Sequence, residues 1–459
     1  MSPASATLRL APPTTPVRAH VRPPGSKSLS NRALLLAAMA EGRTRIDGCL
    51  DAEDTQLMLA CLDRLGIAVT RVGPAIADGL EVEGNPGLGT RAGEIQLDVG
   101  TAGTVARFLT AALAAAREPS WASVLVDGSP RMRERPMDTL LDALATLGAS
   151  LEPLGKPGAL PVRLRAGAGL AGGALVLDRP ASSQFVSALL IAGCLAARPI
   201  EIILREGTPA RPYVDMTLAT IAAFGGNALW SEFVDPGASR PGTREERLLV
   251  EPSPLRACPR YVVEPDASAA SYLLALPLLW GGEVTVPELG AASLQGDAGF
   301  YRVLEGFGAE VEQGPTHTRV RAPADGRAGL RGQSLDLADM PDMTLTAAVV
   351  ALACQGPTRI TGVEILRHHE SDRLAAGAAE LRKLGAEVRE LDDGLEIVPP
   401  AGGLDGMTRG VTIETYKDHR MAMAFAMVGD VAIADPRCVD KTYPEYFEVL
   451  ASLGIAARP

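Results

Sequence analysis

The chain of 459 residues has little cysteine and no closely spaced cysteine pair. Its six cysteines, at positions 49, 61, 194, 258, 354 and 438, include no Cys-x-x-Cys, and most lie in apolar surroundings. Neither a disulfide framework nor a Cys/His metal site has the spacing it needs. The pattern favours a reduced, cytosolic protein with buried thiols.

The chain also lacks an excess of positive charge, because 44 Lys and Arg face 55 Asp and Glu, a net charge of -11. That balance disfavours a nucleic-acid or anionic-membrane surface, although a cleft can still concentrate a few cations. No apolar run reaches the length of a membrane span. No basic, then apolar, then small-residue pattern marks a signal peptide, so we expect a cytoplasmic protein.

Several chemical motifs are absent as well. The sequence has no dinucleotide-binding fingerprint, no Gly-x-Ser-x-Gly elbow and no P-loop. With 47% hydrophobic and 22% charged residues, the composition is typical of a globular protein long enough for two or three domains.

A repeated pattern stands out: an apolar helical segment that ends in Leu-Gly or Phe-Gly. It ends at Gly66, Gly148, Gly225, Gly308, Gly385 and Gly454. Each glycine is typical of the left-handed residue that ends a helix, and a short strand-like segment follows five of them. Units of such similar length predict an α/β fold of six repeats, three in each of two domains.

Two irregular places suggest where the chain passes between domains. One is the proline pair Pro23-Pro24, and the other is the end of the Pro- and Gly-rich stretch Ser231–Pro259. We predict domain II at residues 23–261 and domain I at residues 1–22 together with 262–459. The N-terminal strand patterns, 6–10 and 17–21, then belong with the C-terminal half.

The stretch 23–32, Pro-Pro-Gly-Ser-Lys-Ser-Leu-Ser-Asn-Arg, predicts a capped helix start. Lys27 lies in its first turn, and Ser28 and Arg32 are one turn apart, so they can face the same ligand group. Free backbone N–H groups and the helix dipole favour an anion there. An ordinary capped helix with an exposed lysine explains the same pattern equally well.

Further polar motifs precede apolar helical segments elsewhere in the chain. They are the glycine turn 100–103, the arginine-rich loop 130–136, Ser182-Ser183, Asp342, Glu370 with Arg373, and Asp418-His419-Arg420. Taken singly, most are explained as ordinary caps or exposed arginines. Together they place basic and hydroxyl groups at helix starts in both halves, which indicates a small polyanionic ligand.

The order of these motifs resembles the EPSP synthase family of enolpyruvyl transferases, from about residue 17 to the C-terminus. The residues that carry the resemblance are Pro24-Gly25-Ser26-Lys27-Ser28 with Asn31-Arg32, Gly100-Thr101-Ala102-Gly103-Thr104, Pro130-Arg131-Met132-Arg133-Glu134-Arg135-Pro136, Ser182-Ser183-Gln184, Glu370-Ser371-Asp372-Arg373-Leu374, Asp418-His419-Arg420-Met421-Ala422-Met423 and Lys441-Thr442. The sister family that acts on UDP-N-acetylglucosamine begins with Gly-Ala-Lys-Asn and uses a loop cysteine, and this chain has neither.

The resemblance implies a two-domain, inside-out α/β barrel built from six βαβαββ-type units. It implies transfer of the enolpyruvyl group of phosphoenolpyruvate to the 5-hydroxyl of shikimate 3-phosphate, by addition and elimination through a tetrahedral intermediate. No cofactor is needed. The implied partners are these two small molecules, with no nucleic acid and no membrane, and the protein is expected to be a monomer.

The resemblance also implies roles for individual residues. The catalytic residues would be Lys27, Asp342 and Glu370. Shikimate 3-phosphate would be bound by Lys27, Ser28, Arg32, Ser182, Ser183, Gln184, Tyr213, Asp342 and His369. Phosphoenolpyruvate would be bound by Lys27, Gly103, Arg131, Gln184, Arg373, Arg420 and Lys441.

The chain departs from the family pattern at several positions. Thr101 replaces an asparagine, Phe108 a proline, Ala210 a serine, Ile365 an asparagine and His369 a lysine. Most of these changes fall on the shikimate 3-phosphate side. Two alternatives therefore stay open: a paralogous carboxyvinyltransferase for another cyclic polyol, and a non-catalytic relative that binds phosphosugars.

Overall fold

The computed structural model describes residues 7–231 and 245–458. Residue 6 of the first predicted strand, and residues 232–244 of the irregular stretch, lie outside the described residues. The chain forms two compact units: a terminal unit, Met1–Pro24 with Glu264–Pro459, and a central unit, Gly25–Val263. These limits lie two residues beyond the predicted domain boundaries. The domain boundaries themselves stay a prediction.

The described chain alternates strands and helices. The strands are β1 (Thr7–Arg9), β2 (Val17–His20), β3 (Gly42–Asp47), β4 (Val69–Arg71), β5 (Leu80–Gly84), β6 (Gly93–Asp98), β7 (Trp121–Asp127), β8 (Leu151–Pro153), β9 (Val162–Arg165), β10 (Gly173–Asp178), β11 (Ile200–Arg205), β12 (Asn227–Trp230), β13 (Glu245–Glu251), β14 (Arg260–Val262), β15 (Gly282–Pro287), β16 (Glu310–Gln313), β17 (His317–Arg321), β18 (Ser334–Asp336), β19 (Thr358–Thr361), β20 (Glu387–Leu391), β21 (Gly394–Val398), β22 (Thr412–Ile413) and β23 (Ala432–Ala434). The helices are α1 (Lys27–Met39), α2 (Glu53–Leu65), α3 (Gly103–Ala115), α4 (Pro130–Glu134), α5 (Asp138–Thr146), α6 (Ser183–Gly193), α7 (Pro212–Ala223), α8 (Ala267–Trp280), α9 (Tyr301–Phe307), α10 (Thr344–Ala351), α11 (Arg373–Lys383), α12 (His419–Ala426) and α13 (Tyr446–Ser452).

Five four-stranded sheets share one topology. In the sheet β6-β7-β9-β8, for example, β6 and β7 are parallel and the other two pairs are antiparallel. The same order occurs in β14-β3-β5-β4, β10-β11-β13-β12, β2-β15-β17-β16 and β18-β19-β21-β20. The sixth sheet, β22-β23-β1, has three strands in the corresponding order. The predicted α/β class with six βαβαββ-type units is confirmed.

Two of these sheets are completed by strands from distant parts of the sequence. In the central unit, β14 joins the first sheet beside β3, with Tyr261 opposite Ile46. In the terminal unit, β2 pairs with β15 and β1 pairs with β23. The prediction that the N-terminal strands belong with the C-terminal half is therefore confirmed.

The core of each unit is made of helices, with the sheets around them. Almost every residue of α1, α3 and α6 is buried in the central unit, and the same holds for α8, α10 and α12 in the terminal unit. The strands alternate buried and exposed residues, since only one face of each sheet covers the core. Predicted motifs lie at the starts of α1, α3, α6 and α12 and in the turn before α10, while Arg373 begins α11.

The six repeated glycines end the other set of helices. Their φ angles are +82° at Gly66, +99° at Gly148, +75° at Gly225, +118° at Gly308, +94° at Gly385 and +94° at Gly454. A residue with a side chain adopts such angles only with strain, so the glycine turns the chain from the helix into the next strand. The predicted helix stops are confirmed. No helix in the described ranges is both long and apolar enough to cross a membrane.

Candidate active site

The start of α1 is built by close backbone packing. Ser26 caps the helix, and its hydroxyl accepts from the backbone N–H of Leu29 at 3.5 Å. A Cβ at Gly25 would lie 1.9 Å from the carbonyl oxygen of Gly48, so no larger residue fits there. The ammonium group of Lys27 lies 3.5 Å from the buried carboxylate of Asp54. The motif is therefore a rigid helix start with a partly exposed lysine in its first turn.

Arg32 is a buried cation whose hydrogen bonds go to neutral groups. Its guanidinium donates to Thr217 Oγ1 at 2.7 Å, to Ser187 Oγ at 3.3 Å and to two backbone carbonyl oxygens, those of Ser28 and Tyr213. Burial lowers the pKa of this guanidinium to about 10. A nearby anion would stabilise the charged form of this side chain, which is what the predicted role requires.

Phe108 stands where the family has a proline, and its ring contacts Arg32. The guanidinium carbon lies 5.0 Å from the ring centroid, within the range of a cation–π interaction. The ring therefore lies beside a side chain that was predicted to bind shikimate 3-phosphate.

A second group forms where α3 and α6 begin. The Arg107 guanidinium donates to Gln184 Oε1 at 2.8 Å and lies over the ring of Phe185. A Cβ at Gly103 would lie 2.5 Å from Arg107 Nη1 and 2.7 Å from Arg135 Nη1. Gly103 therefore leaves room for two buried guanidinium groups at the start of α3.

Arg135, rather than Arg131, supplies the second of these guanidinium groups. Arg131 is about half exposed and pairs with Glu134 across one turn of α4. Arg135 is 8% exposed, and its buried Nε has no hydrogen-bond partner among the described residues. The sequence showed three arginines in the loop but not which one points inward, because α4 is only five residues long. Arg107 and Arg135 are thus residues that the sequence analysis did not select.

The hydroxyl groups at the start of α6 are partly used as caps. Ser182 Oγ accepts from the backbone N–H of Gln184 at 3.2 Å, and Ser183 is nearly buried in the first turn. Ala210, just before α7, has a φ angle of +51°. In the first turn of α7, the backbone carbonyl oxygen of Tyr213 accepts a hydrogen bond from Arg32. The cap on α6 is confirmed, while binding of a phosphate by the two serines stays a prediction.

In the terminal unit, five charged side chains form an alternating row that we call the terminal charge cluster. Its members in order are Lys441, Glu370, Arg373, Asp342 and Arg420. The separations between their charged atoms are 3.1 Å, 2.9 Å, 2.8 Å and 2.6 Å along this row. One guanidinium, that of Arg373, holds both Glu370 and Asp342, and so fixes the two carboxylates next to each other.

Arg373 also forms an ion pair with Asp418, which is fully buried at the start of α12. Asp418 accepts from Arg373 Nε at 2.8 Å, from the hydroxyl of Ser371 at 3.0 Å and from the backbone N–H of Arg420 at 3.0 Å. Burial alone would lower the pKa of Arg373, but the carboxylates of Asp418, Glu370 and Asp342 outweigh burial and hold the pKa above its ordinary value. The sequence predicted only the cap, because Arg373 lies 45 residues away.

His369 lies against the same guanidinium. Its Nδ1 is 2.9 Å from Arg373 Nη1 and 3.8 Å from Asp342 Oδ1. A guanidinium N–H can only donate, so Nδ1 must accept, and the ring is then a neutral imidazole with its proton on Nε2. This geometry favours a neutral hydrogen-bonding histidine over a cation that replaces the family's lysine.

We therefore expect the pH dependence of the KM for shikimate 3-phosphate to show no loss of affinity near pH 6.5, where an ordinary histidine loses its charge. His369→Gln keeps an acceptor for Arg373 and should leave this KM within about twofold. His369→Lys places a cation beside the guanidinium and should raise it. Measurements of this KM from pH 6 to 8.5 distinguish the two states of His369. A loss of affinity with rising pH in wild type that His369→Lys abolishes would show that His369 is a cation.

The described residues contain no group of three or more His, Cys, Asp or Glu side chains that could hold a metal ion. The central unit offers cations and hydroxyl groups for binding, and the terminal unit offers cations and carboxylates for binding and proton transfer. Two carboxylates beside buried cations are suited to acid–base chemistry on an anionic substrate.

Residues 12–450 match the family model of EPSP synthase (3-phosphoshikimate 1-carboxyvinyltransferase). The chain belongs to the EPSP synthase family. It is 40% identical over 449 residues to the 3-phosphoshikimate 1-carboxyvinyltransferase of Photobacterium profundum, covering 96% of this chain and 97% of that protein. It is 41% identical over 452 residues to the chloroplastic enzyme of Brassica napus, covering 96% and 84% respectively.

The fold is also that of a solved member of this family. The EPSP synthase of Acinetobacter baumannii superposes with a TM-score of 0.77 over 98% of this chain and 99% of the other, at 23% identity. The predicted inside-out α/β fold is confirmed by this likeness. The predicted class, a transferase of the 3-phosphoshikimate 1-carboxyvinyltransferase family, is confirmed by the family match and the relatives.

Proposed function

We propose that this chain transfers the enolpyruvyl group of phosphoenolpyruvate to the 5-hydroxyl of shikimate 3-phosphate and releases inorganic phosphate. The supporting observation is the terminal charge cluster, in which Arg373 fixes Asp342 and Glu370 side by side. The reaction needs one group that accepts the hydroxyl proton and one that delivers a proton to the methylene carbon. Two carboxylates held by one guanidinium meet that need.

The proton path follows from this arrangement. Asp342 accepts the proton of the 5-hydroxyl, whose oxygen forms a bond to C2 of phosphoenolpyruvate, while Glu370, which starts in its protonated form, delivers its proton to C3. The tetrahedral intermediate then loses phosphate, which takes up the proton held by Asp342, and Glu370 takes a proton back from C3 as the double bond re-forms. Lys441 and Arg373 hold the two oxygens of Glu370 and keep it in place between these two steps.

We propose the following binding roles. Lys27, Gly103, Gln184, Arg373, Arg420 and Lys441 serve phosphoenolpyruvate, and Arg135 joins them in place of Arg131. Ser28, Arg32, Ser182, Ser183, Tyr213 and His369 serve shikimate 3-phosphate, together with Lys27, Gln184 and Asp342. Arg32 and Arg135 of the central unit support these roles. Arg32 is buried among neutral hydrogen-bond acceptors and Arg135 Nε is buried without one among the described residues, so a bound anion would stabilise their charge.

Phosphate release in the presence of both substrates tests the proposal. We expect phosphate to appear only when both are supplied, in equal amount to the enolpyruvyl ether detected by proton NMR. Asp342→Asn and Glu370→Gln should lower kcat by a larger factor than they change the KM of either substrate. Turnover with another cyclic polyol and none with shikimate 3-phosphate would favour the paralogue, an alternative that Ala210, Ile365 and His369 keep open. Binding without turnover would favour the non-catalytic relative.

Gly103→Ala should raise the KM for phosphoenolpyruvate about tenfold, or about 1.4 kcal/mol. The new methyl group would displace the guanidinium groups of Arg107 and Arg135, which are the ends of flexible side chains, so we expect the substitution to affect anion binding more than folding. We expect glyphosate to inhibit competitively with phosphoenolpyruvate, and this substitution to weaken that inhibition even more. Gly306→Ala in α9 is the control, because its Cβ would meet nothing closer than 3.7 Å. Inhibition independent of phosphoenolpyruvate concentration would contradict the assignment.

The predicted cytoplasmic location and monomeric state stay proposals. The cysteines are free thiols, four of them buried, which is consistent with a reducing compartment. Sedimentation of the purified protein over a range of concentrations tests the oligomeric state.

A further inference from the structure

Asp297 is a second acidic side chain, in a turn that packs against the one carrying Asp342, and the proposed mechanism does not use it. Asp297 lies in the 3₁₀ turn Gly296–Phe300 and is 4% exposed. The hydroxyl of Ser268, in the first turn of α8, donates to its Oδ2. This turn, the start of α8 and the 3₁₀ turn Pro341–Met343 that carries Asp342 pack against one another. The cluster is fixed in place, since Gln295 also accepts from the backbone N–H of Ala267 at 3.0 Å.

The charged groups around Asp297 come from several elements. They are Asp266, which caps α8, Asp342 of the neighbouring 3₁₀ turn, and Arg420 of α12. Asp342 and Asp297 are thus two carboxyl groups in one buried region, and Arg420 interacts with both.

We propose that Asp297, in the turn packed against the one that carries Asp342, is a positioning residue for this base, and that ionisation of Asp297 strengthens Asp342 as a proton acceptor. Asp297 does so without contact to the reacting atoms, through the repulsion between two negative charges. The inference rests on the proposed function, because it needs Asp342 to accept the substrate's hydroxyl proton.

The energetics of the pair support this. Burial raises the pKa of Asp297 to about 7, and the charge of Asp342 adds to the rise, while the Ser268 hydrogen bond opposes it. Arg373 and Arg420 hold Asp342 at 2.8 and 2.6 Å, which favours its ionised form. Repulsion between the two is reciprocal: once Asp297 loses its proton, Asp342 becomes the stronger base.

The first experiment is the pH profile of kcat from pH 5.5 to 9 with saturating phosphoenolpyruvate and shikimate 3-phosphate. We expect wild type to show a rise centred near pH 7 that Asp297→Asn lacks. At pH 8 this variant should have kcat lower by about 3- to 10-fold, with both KM values changed less than twofold. A purely structural role would lower kcat equally at every pH.

Glu380→Gln is the matched control, because Glu380 is also a fully buried carboxylate of the terminal unit but binds Tyr416 and the backbone of Glu414 instead. It should keep the wild-type profile. The Ser268 hydrogen bond provides an independent change: Ser268→Ala removes it and should move the rise to higher pH. Ser268→Thr keeps a hydroxyl and should restore the wild-type profile. These two variants leave Asp297 in place should Asp297→Asn fail to fold.

A stability measurement tests the titration of Asp297 without turnover. Because the pKa of Asp297 is higher in the folded chain than in the unfolded chain, its contribution to stability is present at low pH and is lost as the pH rises through about 7. The Tm of Asp297→Asn should therefore rise by several degrees relative to wild type between pH 5 and pH 8.

The outcomes are distinguishable. Wild type that releases no phosphate with these substrates would overturn the proposed function and this inference with it. Wild type that turns over, with the same pH profile in Asp297→Asn, would overturn this inference alone. A Tm difference between wild type and Asp297→Asn that does not change with pH would also overturn it.

Discussion

Replacing Arg373 by alanine is expected to destabilise the protein by about 3–5 kcal/mol and to abolish measurable turnover. The substitution leaves the buried Asp418 without its guanidinium partner and removes the group that holds Asp342 and Glu370 together. An uncompensated carboxylate in the interior is costly, because protein replaces the water that would solvate it. Urea unfolding followed by circular dichroism, together with the phosphate-release assay, measures both effects.

The matched control is Arg321→Ala. Arg321 pairs with Glu283 at 2.8 Å, the same distance as between Arg373 and Asp418, but both side chains of this pair are partly exposed. Exposed ion pairs contribute about 0–1 kcal/mol, so we expect a loss of less than about 1 kcal/mol and unchanged activity. Equal losses in the two variants would show that burial does not set the energy of the Arg373 cluster.

The second large effect separates two arginines that lie four positions apart. Arg135→Ala should lower kcat/KM for phosphoenolpyruvate by roughly 10- to 150-fold, because one charge-assisted hydrogen bond contributes about 1.5–3 kcal/mol. Arg131→Ala should change it by less than about twofold, since Arg131 is half exposed and bound to Glu134. The pair of variants is its own control for the loss of one positive charge in this loop.

Steady-state kinetics with phosphoenolpyruvate as the varied substrate decide between the two arginines. The opposite pattern, with a large loss for Arg131→Ala and a small one for Arg135→Ala, would restore the residue selected from the sequence. A loss in neither would remove this loop from the proposed binding site. Because Arg135 is nearly buried, the unfolding free energy of its variant must be measured as well.

Local sequence patterns predicted much of this fold, because the fold repeats the same unit. Each Leu-Gly or Phe-Gly stop marks a helix end that only a residue with a positive φ angle can make, as the +82° to +118° angles of Gly66, Gly148, Gly308, Gly385 and Gly454 illustrate. Helix caps are equally local, so Ser26, Ser182 and Asp418 were predicted to begin helices, and they do. The succession of motifs was specific enough to indicate the family.

The sequence could not show which polar side chains point inward. In a five-residue helix such as α4, no periodicity distinguishes Arg131 from Arg135, and only the packing of that loop against Gly103 does so. Likewise, the protonation state of His369 depends on a guanidinium four residues on that can only donate. Of the two states of His369, a cation in place of the family's lysine is the one that the geometry supports less.

The sequence by itself therefore determined the repeats, the helix ends and the family, because these depend on backbone conformation and on residues close together in the chain. Only the tertiary structure decided the charge network. Arg373 meets Asp418 across 45 residues, Arg420 meets Asp342 across 78, and Ser268 meets Asp297 across 29. Burial then sets the strength of these pairings, because each charge removed from water must find its partner inside the protein, wherever in the sequence that partner lies.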